Sequence, residues 1–170
     1  MLIFFDTEFS DLGIDPRLVS IGLISDDGRE FYAELADTYV IGDCNEFVKL
    51  AVLPKLEGGA VRMTMFDLTL KLGNWLDDFE EPVQLATDSL GWDWPWVHEI
   101  FYEAGTWPQT LSRTPQLLTV NDLNDYGLFI SVVEKAFAGG LRRHHALDDA
   151  KANRLGWIAA GGCYAWPETK

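Results

Sequence analysis

Leu2 to Phe5 form an unbroken apolar run that stops at Asp6. Four consecutive apolar residues predict a short strand buried on both faces. Arg17 to Ser25 (RLVSIGLIS) is a second run, and it ends at Asp26-Asp27-Gly28, a hairpin turn signal. Glu30 to Leu35 (EFYAEL) alternates apolar with polar residues and is expected to pair back. The opening of the chain therefore predicts an antiparallel meander of three strands.

The pattern then changes. Asn45 to Leu56 predicts a short helix cut by Pro54. Thr64 to Phe79 predicts a helix, with Phe66, Leu70, Trp75 and Phe79 near helical spacing. Val83 to Thr87 (VQLAT) follows Pro82 and reads as a strand. Trp94 to Tyr102 reads as a helix with Pro95 in its first turn. Gly105 to Pro115 reads as a loop, and Gln116 to Val120 as a short strand. Leu123 to Phe137 is a helix ending at Gly139-Gly140, and Asp148 to Ala160 a last helix ending at Gly161-Gly162. Three strands followed by alternating helices and strands predict an α/β architecture, a mixed sheet covered by helices.

The chain has 170 residues, 48% of them apolar, with seven Trp, enough for one well-filled core. No linker, internal repeat or low-complexity tract interrupts it, so residues 1–170 read as a single domain. The charge balance adds a constraint. With 13 Lys and Arg against 27 Asp and Glu, the net charge is −14. That excludes binding of nucleic acid or an anionic membrane through bulk positive charge. It leaves open an enzyme that reaches phosphates through bound cations. Cys44 and Cys163 are too few for a disulfide scaffold and lack zinc-site spacing. No apolar run approaches the length of a membrane span, and MLIFFDTEF has no basic start, so a cytoplasmic location is expected.

Three segments carry candidate chemistry. Asp6-Thr7-Glu8 ends the first strand, and residues i and i+2 of a strand share a face. Two adjacent carboxylates repel, and a hard divalent cation such as Mg²⁺ or Mn²⁺ would relieve them; a solvated strand end is the simpler alternative. In VQLATDSLGWDWPWV, Asp93 heads a helix, where the helix dipole favours an acid, and Asp88 suits a turn. In RRHHALDDAKAN, His144 and His145 lie in a loop before a helix that Asp149 and Ala150 begin, with Asp148 able to serve as N-cap. A loop His beside carboxylates is suited to general-base work, its pKa raised by nearby negative charge. Arg142, Arg143, Lys151 and Arg154 cluster around this segment as a local basic lip, or as compensation for the acids beside them.

Taken in order, an acid pair, a later acid and H-x4-D form the signature of the DEDDh 3′–5′ exonuclease superfamily, and the chain resembles it over most of its length. D6-T-E8-F-S-D-L12-G13-I14-D-P16 followed by LVSIG matches the first motif. His144-His145-Ala146-Leu147-Asp148-Asp149-Ala150 is similar to H-x-A-x-x-D-A, a register that selects His144 over His145 and Asp149 over Asp148. The middle motif departs. Asp88-Ser89-Leu90-Gly91-Trp92-Asp93 fits the oligoribonuclease form N-S-x-G-x-D with Asp88 in place of Asn, so Asp93 is the candidate and Asp88 its rival. The opening FFDTEF looks most like the short bacterial exoribonuclease AS type.

The resemblance implies a ribonuclease H-like fold and a 3′–5′ exoribonuclease that releases nucleoside 5′-monophosphates from single-stranded RNA 3′ ends, with adenylate-rich tails favoured in the AS type. It implies two divalent ions, Mg²⁺ or Mn²⁺, held by Asp6, Glu8, Asp93 and Asp149. Glu8 would also orient the attacking water and His144 would deprotonate it. Phe9, Leu12, Trp92 and Arg143 are the substrate-binding candidates, and a homodimer is expected from the AS type. Two other readings stay open. One is a single-stranded DNA exonuclease of proofreading type, with the same motifs. The other is a non-catalytic acidic protein that mimics nucleic acid, which suits the −14 charge.

Overall fold

A computed structural model describes residues 1–120 and 122–162; Cys163 lies outside the described residues. Strand β1 (Leu2–Phe9) pairs antiparallel with β2 (Leu18–Ser25), and β2 with β3 (Glu30–Leu35), giving the expected meander. The two-residue strand β4 (Arg62–Met63) lies parallel to β3, and helix α1 (Met65–Asp77) follows it. Strand β5 (Gln84–Thr87) runs parallel to β1 on its other side. Helix α2 (Leu90–Phe101) leads to β6 (Gln116–Leu117), which is parallel to β5, and helices α3 (Leu123–Ala138) and α4 (Ala146–Ala159) complete the order. The sheet reads β4-β3-β2-β1-β5-β6, a mixed sheet flanked by helices, as in a ribonuclease H-like fold. Among the described residues no helix is long and apolar enough to cross a membrane.

Strand alternation divides the core. Ile3 and Phe5 pack with Leu68, Leu72 and Leu76 of α1 and with Val97 and Ile100 of α2. Leu2 and Phe4 face the other way and pack with Phe129 and Val133 of α3 and with Ala150 and Trp157 of α4. β1 is thus buried on both faces, as its continuous apolar run requires.

Several expectations are corrected. Residues 45–56 do not form an α-helix; a π turn over Val48–Val52 leads into a 3₁₀ turn over Leu53–Lys55. Pro54 has no N–H to extend an α ladder, and its ring displaces the carbonyl four residues back. On α1 the buried positions are Leu68, Leu72 and Leu76, while Phe66 and Leu70 are exposed. α2 begins four residues earlier than expected, which puts Pro95 inside the helix. Gly91 and Pro95 are both exposed, so the carbonyl left without a partner faces water. α4 begins at Ala146 with His145 as its N-cap, not with Asp148.

Gly22 explains how α4 reaches the sheet. It stands opposite Asp6 in the β1–β2 pair. A Cβ there would lie 2.1 Å from the Leu147 nitrogen and 2.4 Å from the Ala146 carbonyl carbon. Backbone cannot yield as a flexible side chain can, so only glycine admits the first turn of α4 at this spot. Gly22→Ala is expected to destabilise the fold by about 1–3 kcal/mol. Gly42→Ala, where nothing lies within 4 Å, is expected to stay within about 0.5 kcal/mol of wild type. Urea denaturation of the two variants checks both.

Candidate active site

The site grows from the alternation of β1. Leu2 and Phe4 point at α3 and α4, and Asp6 and Glu8 continue the same face past the end of the apolar cluster. The ladder with β2 shifts register between Glu8 and Phe9, a bulge that re-aims the end of the strand. Phe9 points to the other face and joins the α1–α2 cluster.

Parallel pairing puts the carboxyl end of β5 beside that of β1, where ligand crevices form in α/β sheets. Asp88 follows β5 directly and is exposed at the cleft. Asp93, in the first turn of α2, is 2% exposed. Its carboxylate accepts from the Thr7 backbone N–H at 3.2 Å, the Thr7 hydroxyl at 2.6 Å and the Thr87 hydroxyl at 2.5 Å. Both of its oxygens are therefore fixed in direction. Ligand atoms of Asp6, Asp88 and Asp93 lie within 4.8 Å of one another, and so do those of Glu8, His144 and Asp149.

The turn before α4 gives the two histidines different roles. His144 has a left-handed backbone, φ 63°, and lines the cleft. His145 turns inward. Its Nδ1 accepts from the Asp148 N–H at 3.4 Å, and its ring stacks on Tyr32 at 4.3 Å between centroids. Asp148, which sequence left as a candidate cap, is held instead by Arg142, through Nε at 2.6 Å and the backbone N–H at 3.0 Å. Burial pushes the Asp148 carboxyl up, but the Arg142 bonds outweigh it and hold it below the usual carboxylate range.

The basic lip largely dissolves into internal pairing. Arg142 also bonds Glu57 at 2.9 Å, Lys151 pairs with Glu30 at 2.8 Å, and Arg154 donates to the Asp26 carbonyl at 2.7 Å. Of the four, only Arg143 lines the cleft. It makes a two-pronged pair with Glu134, at 2.8 and 2.9 Å, and lies over the Phe137 ring. Two features carried no signal in sequence: Lys55, whose ammonium donates to the Arg143 carbonyl, and Phe47, whose ring meets that of His144. Both sit in the 45–55 segment, which the sequence reads as a short helix without marking either residue for the site.

The cleft holds about 370 Å³. Asp6, Glu8, Asp88, Asp93, His144 and Asp149 line one side of it. Phe9 and Trp92 stack on each other at 5.8 Å and 18°, and with Leu12, 63% exposed, form an apolar lip. Phe129 and Phe137 close the α3 side. The sequence-predicted residues Asp6, Glu8, Phe9, Leu12, Trp92, Asp93, Arg143, His144 and Asp149 all meet here.

Burial is the first cause of the shift at each acid of the site, followed by mutual repulsion at Asp6 and Glu8 and by opposing hydrogen bonds at Asp93 and Asp149. Asp6 is raised well above its ordinary 3.8, by burial and then by Asp93, Glu8 and Asp149. Glu8 is raised to about 8 by burial and then by Asp149 and Asp93. Asp149 is raised to about 7 by burial, against the pull of the His144 and His145 backbone N–H groups. Asp93 is raised to about 6 by burial, against the pull of its threonine bonds. His144 moves opposite to the expectation of a raised value. Burial lowers it first, and the positive charges of Lys55 and Arg143 lower it further.

These donors suit a hard divalent cation: carboxylate oxygens with one imidazole and no thiolate. The sign of the linkage is definite. Acids raised in the fold hold protons that the unfolded chain gives up, so their contribution is complete below the ordinary values of 3.8 and 4.5. It is lost as pH rises through about 6, 7 and 8. Without divalent metal, the melting temperature is expected to fall between about pH 5 and about pH 8. Adding Mn²⁺ should raise it most at the upper end. Thermal melts with Mn²⁺ and with EDTA check this.

No family model matches the chain. The chain is 35% identical over 98 residues to a 3′–5′ exoribonuclease of Mycobacterium tuberculosis strain ATCC 25618 / H37Rv, and equally to that of strain CDC 1551 / Oshkosh. The match covers 57% of this chain and 54% of each relative, so the chain spans about half the length of the curated relatives it matches.

Proposed function

We propose that the protein is a metal-dependent 3′–5′ exoribonuclease of the DEDDh type. The observation that carries the reading is the convergence of Asp6, Glu8, Asp88, Asp93, Asp149 and His144 on one cleft at the paired ends of β1 and β5. The similarity to the two mycobacterial exoribonucleases supports the substrate class. Asp6, Glu8, Asp93 and Asp149 would hold two Mg²⁺ or Mn²⁺ ions, with Asp88 beside them. Bound divalent ions lower the pKa of water and offset charge on the phosphate oxygens.

The chain's own residues account for the rest. His144, its pKa lowered by burial and by Lys55 and Arg143, is neutral near pH 7 and free to accept a proton at a ring nitrogen. Glu8, in the same group of donor atoms, orients the water that gives up this proton. The water oxygen bonds to phosphorus while the bond from phosphorus to the 3′ oxygen breaks; that oxygen leaves with the bonding pair and takes up a proton, giving a nucleoside 5′-monophosphate and a shorter strand with a free 3′ hydroxyl. Phe9, Trp92 and Leu12 offer flat apolar surface to the last bases of a single strand. A base stacked on an aromatic ring is worth about 1–3 kcal/mol, so binding needs little positive charge. Arg143 at the rim reaches the phosphates, with Glu134 sharing its guanidinium.

The test is a gel with 5′-labelled single-stranded RNA and its DNA counterpart, with Mn²⁺ or Mg²⁺ and with EDTA. A metal-dependent ladder shortening from the 3′ end, faster on RNA, is expected. Equal or faster loss of DNA would instead favour a proofreading exonuclease. No degradation with either metal would favour an acidic binding protein. Asp149→Asn should abolish the ladder, and His144→Ala should slow it by about 10²-fold or more. Asp93→Asn should be far more damaging than Asp88→Asn, because the threonine bonds fix Asp93 in direction. The reverse order would make Asp88 the middle ligand.

A further inference from the structure

The stretch between β3 and β4 supplies no carboxylate to the acid cluster, though the Lys55 charge favours ionised Glu8, and it reaches His144 from two sides. Its start is tied to the end of β1. The Asn45 N–H donates to the Ser10 carbonyl at 3.0 Å, and the Asn45 side-chain amide donates to Asp11 at 3.0 Å. The Asn45 side-chain oxygen accepts from the Val48 N–H at 2.8 Å. Val48 and Val52 are buried against Val19 and Cys44. Between these anchors runs the π turn, closed by the Leu53 N–H on the Val48 carbonyl. Such turns insert one extra residue per turn and recur at functional sites.

Two side chains leave this stretch for the His144 turn. The Phe47 ring meets the His144 ring edge to face, 4.9 Å between centroids and 84° between planes. The Lys55 ammonium donates to the carbonyl of Arg143, the peptide that leads into His144. Neither is placed by core packing or by a close ion pair. Phe47 is 55% exposed, so it adds little to the core. Lys55 takes a backbone carbonyl in a chain with 27 carboxylates to 13 basic side chains. What they hold needs holding: His144 sits at φ 63°, a conformation that a non-glycine residue keeps only when its surroundings impose it.

We propose that Phe47 and Lys55 are positioning residues that fix His144 over the Glu8–Asp149 edge of the cleft, Phe47 by bearing on the imidazole and Lys55 by pinning the preceding carbonyl. The inference rests on the exonuclease reading, in which His144 takes the proton from water. A base must stand at one distance from that water to act on it, and a shift of about 1 Å can cost as much as 10²-fold in rate.

The chain has three histidines, His98, His144 and His145, so carbon-13-labelled histidine gives three imidazole signals. In wild type the His144 signal is displaced by the Phe47 ring current. Phe47→Leu removes that displacement and leaves His98 unmoved, whereas a misfolded variant would move all three. Lys55→Met broadens or splits the His144 signal, and Lys55→Arg restores it. On labelled RNA with Mn²⁺, Phe47→Leu and Lys55→Met each lower kcat by about tenfold with KM within about twofold, and Lys55→Arg recovers most of the loss. An unmoved His144 signal in Phe47→Leu, or wild-type kcat in both variants, overturns the proposal. A wild-type protein that shortens no RNA overturns the exonuclease reading instead, and the His144 signals still decide whether these two side chains hold the ring.

Discussion

The carboxylates of the cleft repel one another, and most of them have lost part of their water to the fold. Asp6, Glu8, Asp93 and Asp149 are all raised, with burial the first cause in each case. A fold selected for stability alone would not bring them together, because each needs a proton or a cation to offset its desolvation. The rest of the structure is organised to hold them there regardless. β1 presents two on one face, Thr7 and Thr87 orient a third, and Gly22 lets α4 bring the fourth against the sheet. Strain of this kind is evidence of function, since it persists only where something compensates it.

Much of the fold, and the grouping of the candidate site, was legible in the sequence. The meander followed from continuous and alternating apolar runs around a turn signal, a pattern set by local sterics and burial. That the candidate residues share one cleft was expected from the order of their motifs. What could not be read depended on tertiary contact. The buried face of α1 runs through Leu68, Leu72 and Leu76, which share the segment with equally apolar residues left exposed. The N-cap of α4 is His145 because its ring is buried against Tyr32, a partner more than a hundred residues away. The basic lip failed because sequence shows the charge of Arg142, Lys151 and Arg154 but not the Glu57, Glu30 and Asp26 that occupy them. Phe47 and Lys55 were invisible for the same reason, since their partners in the His144 turn lie almost a hundred residues away.

The site also joins the two halves of the core. Asp93 belongs to α2, which packs with α1 on one face of the sheet, and Asp149 to α4, which packs with α3 on the other. β1, buried on both faces, touches both layers and carries two acids of its own. A ligand held by all of them would bind only when both layers are docked, so its affinity would add to the stability of the whole sheet rather than of one helix.

The two-residue period of β1 has a consequence for folding. Hydrogen bonding alone would tolerate a slip of one residue against β2, since a backbone ladder is blind to side chains. Such a slip would turn Asp6 and Glu8 into the α1–α2 layer and lift Ile3 and Phe5 out of it. Two uncompensated charges would then be enclosed in hydrocarbon. The acids that make the cleft costly to build thus also proofread it, by making the wrongly paired chain costlier still.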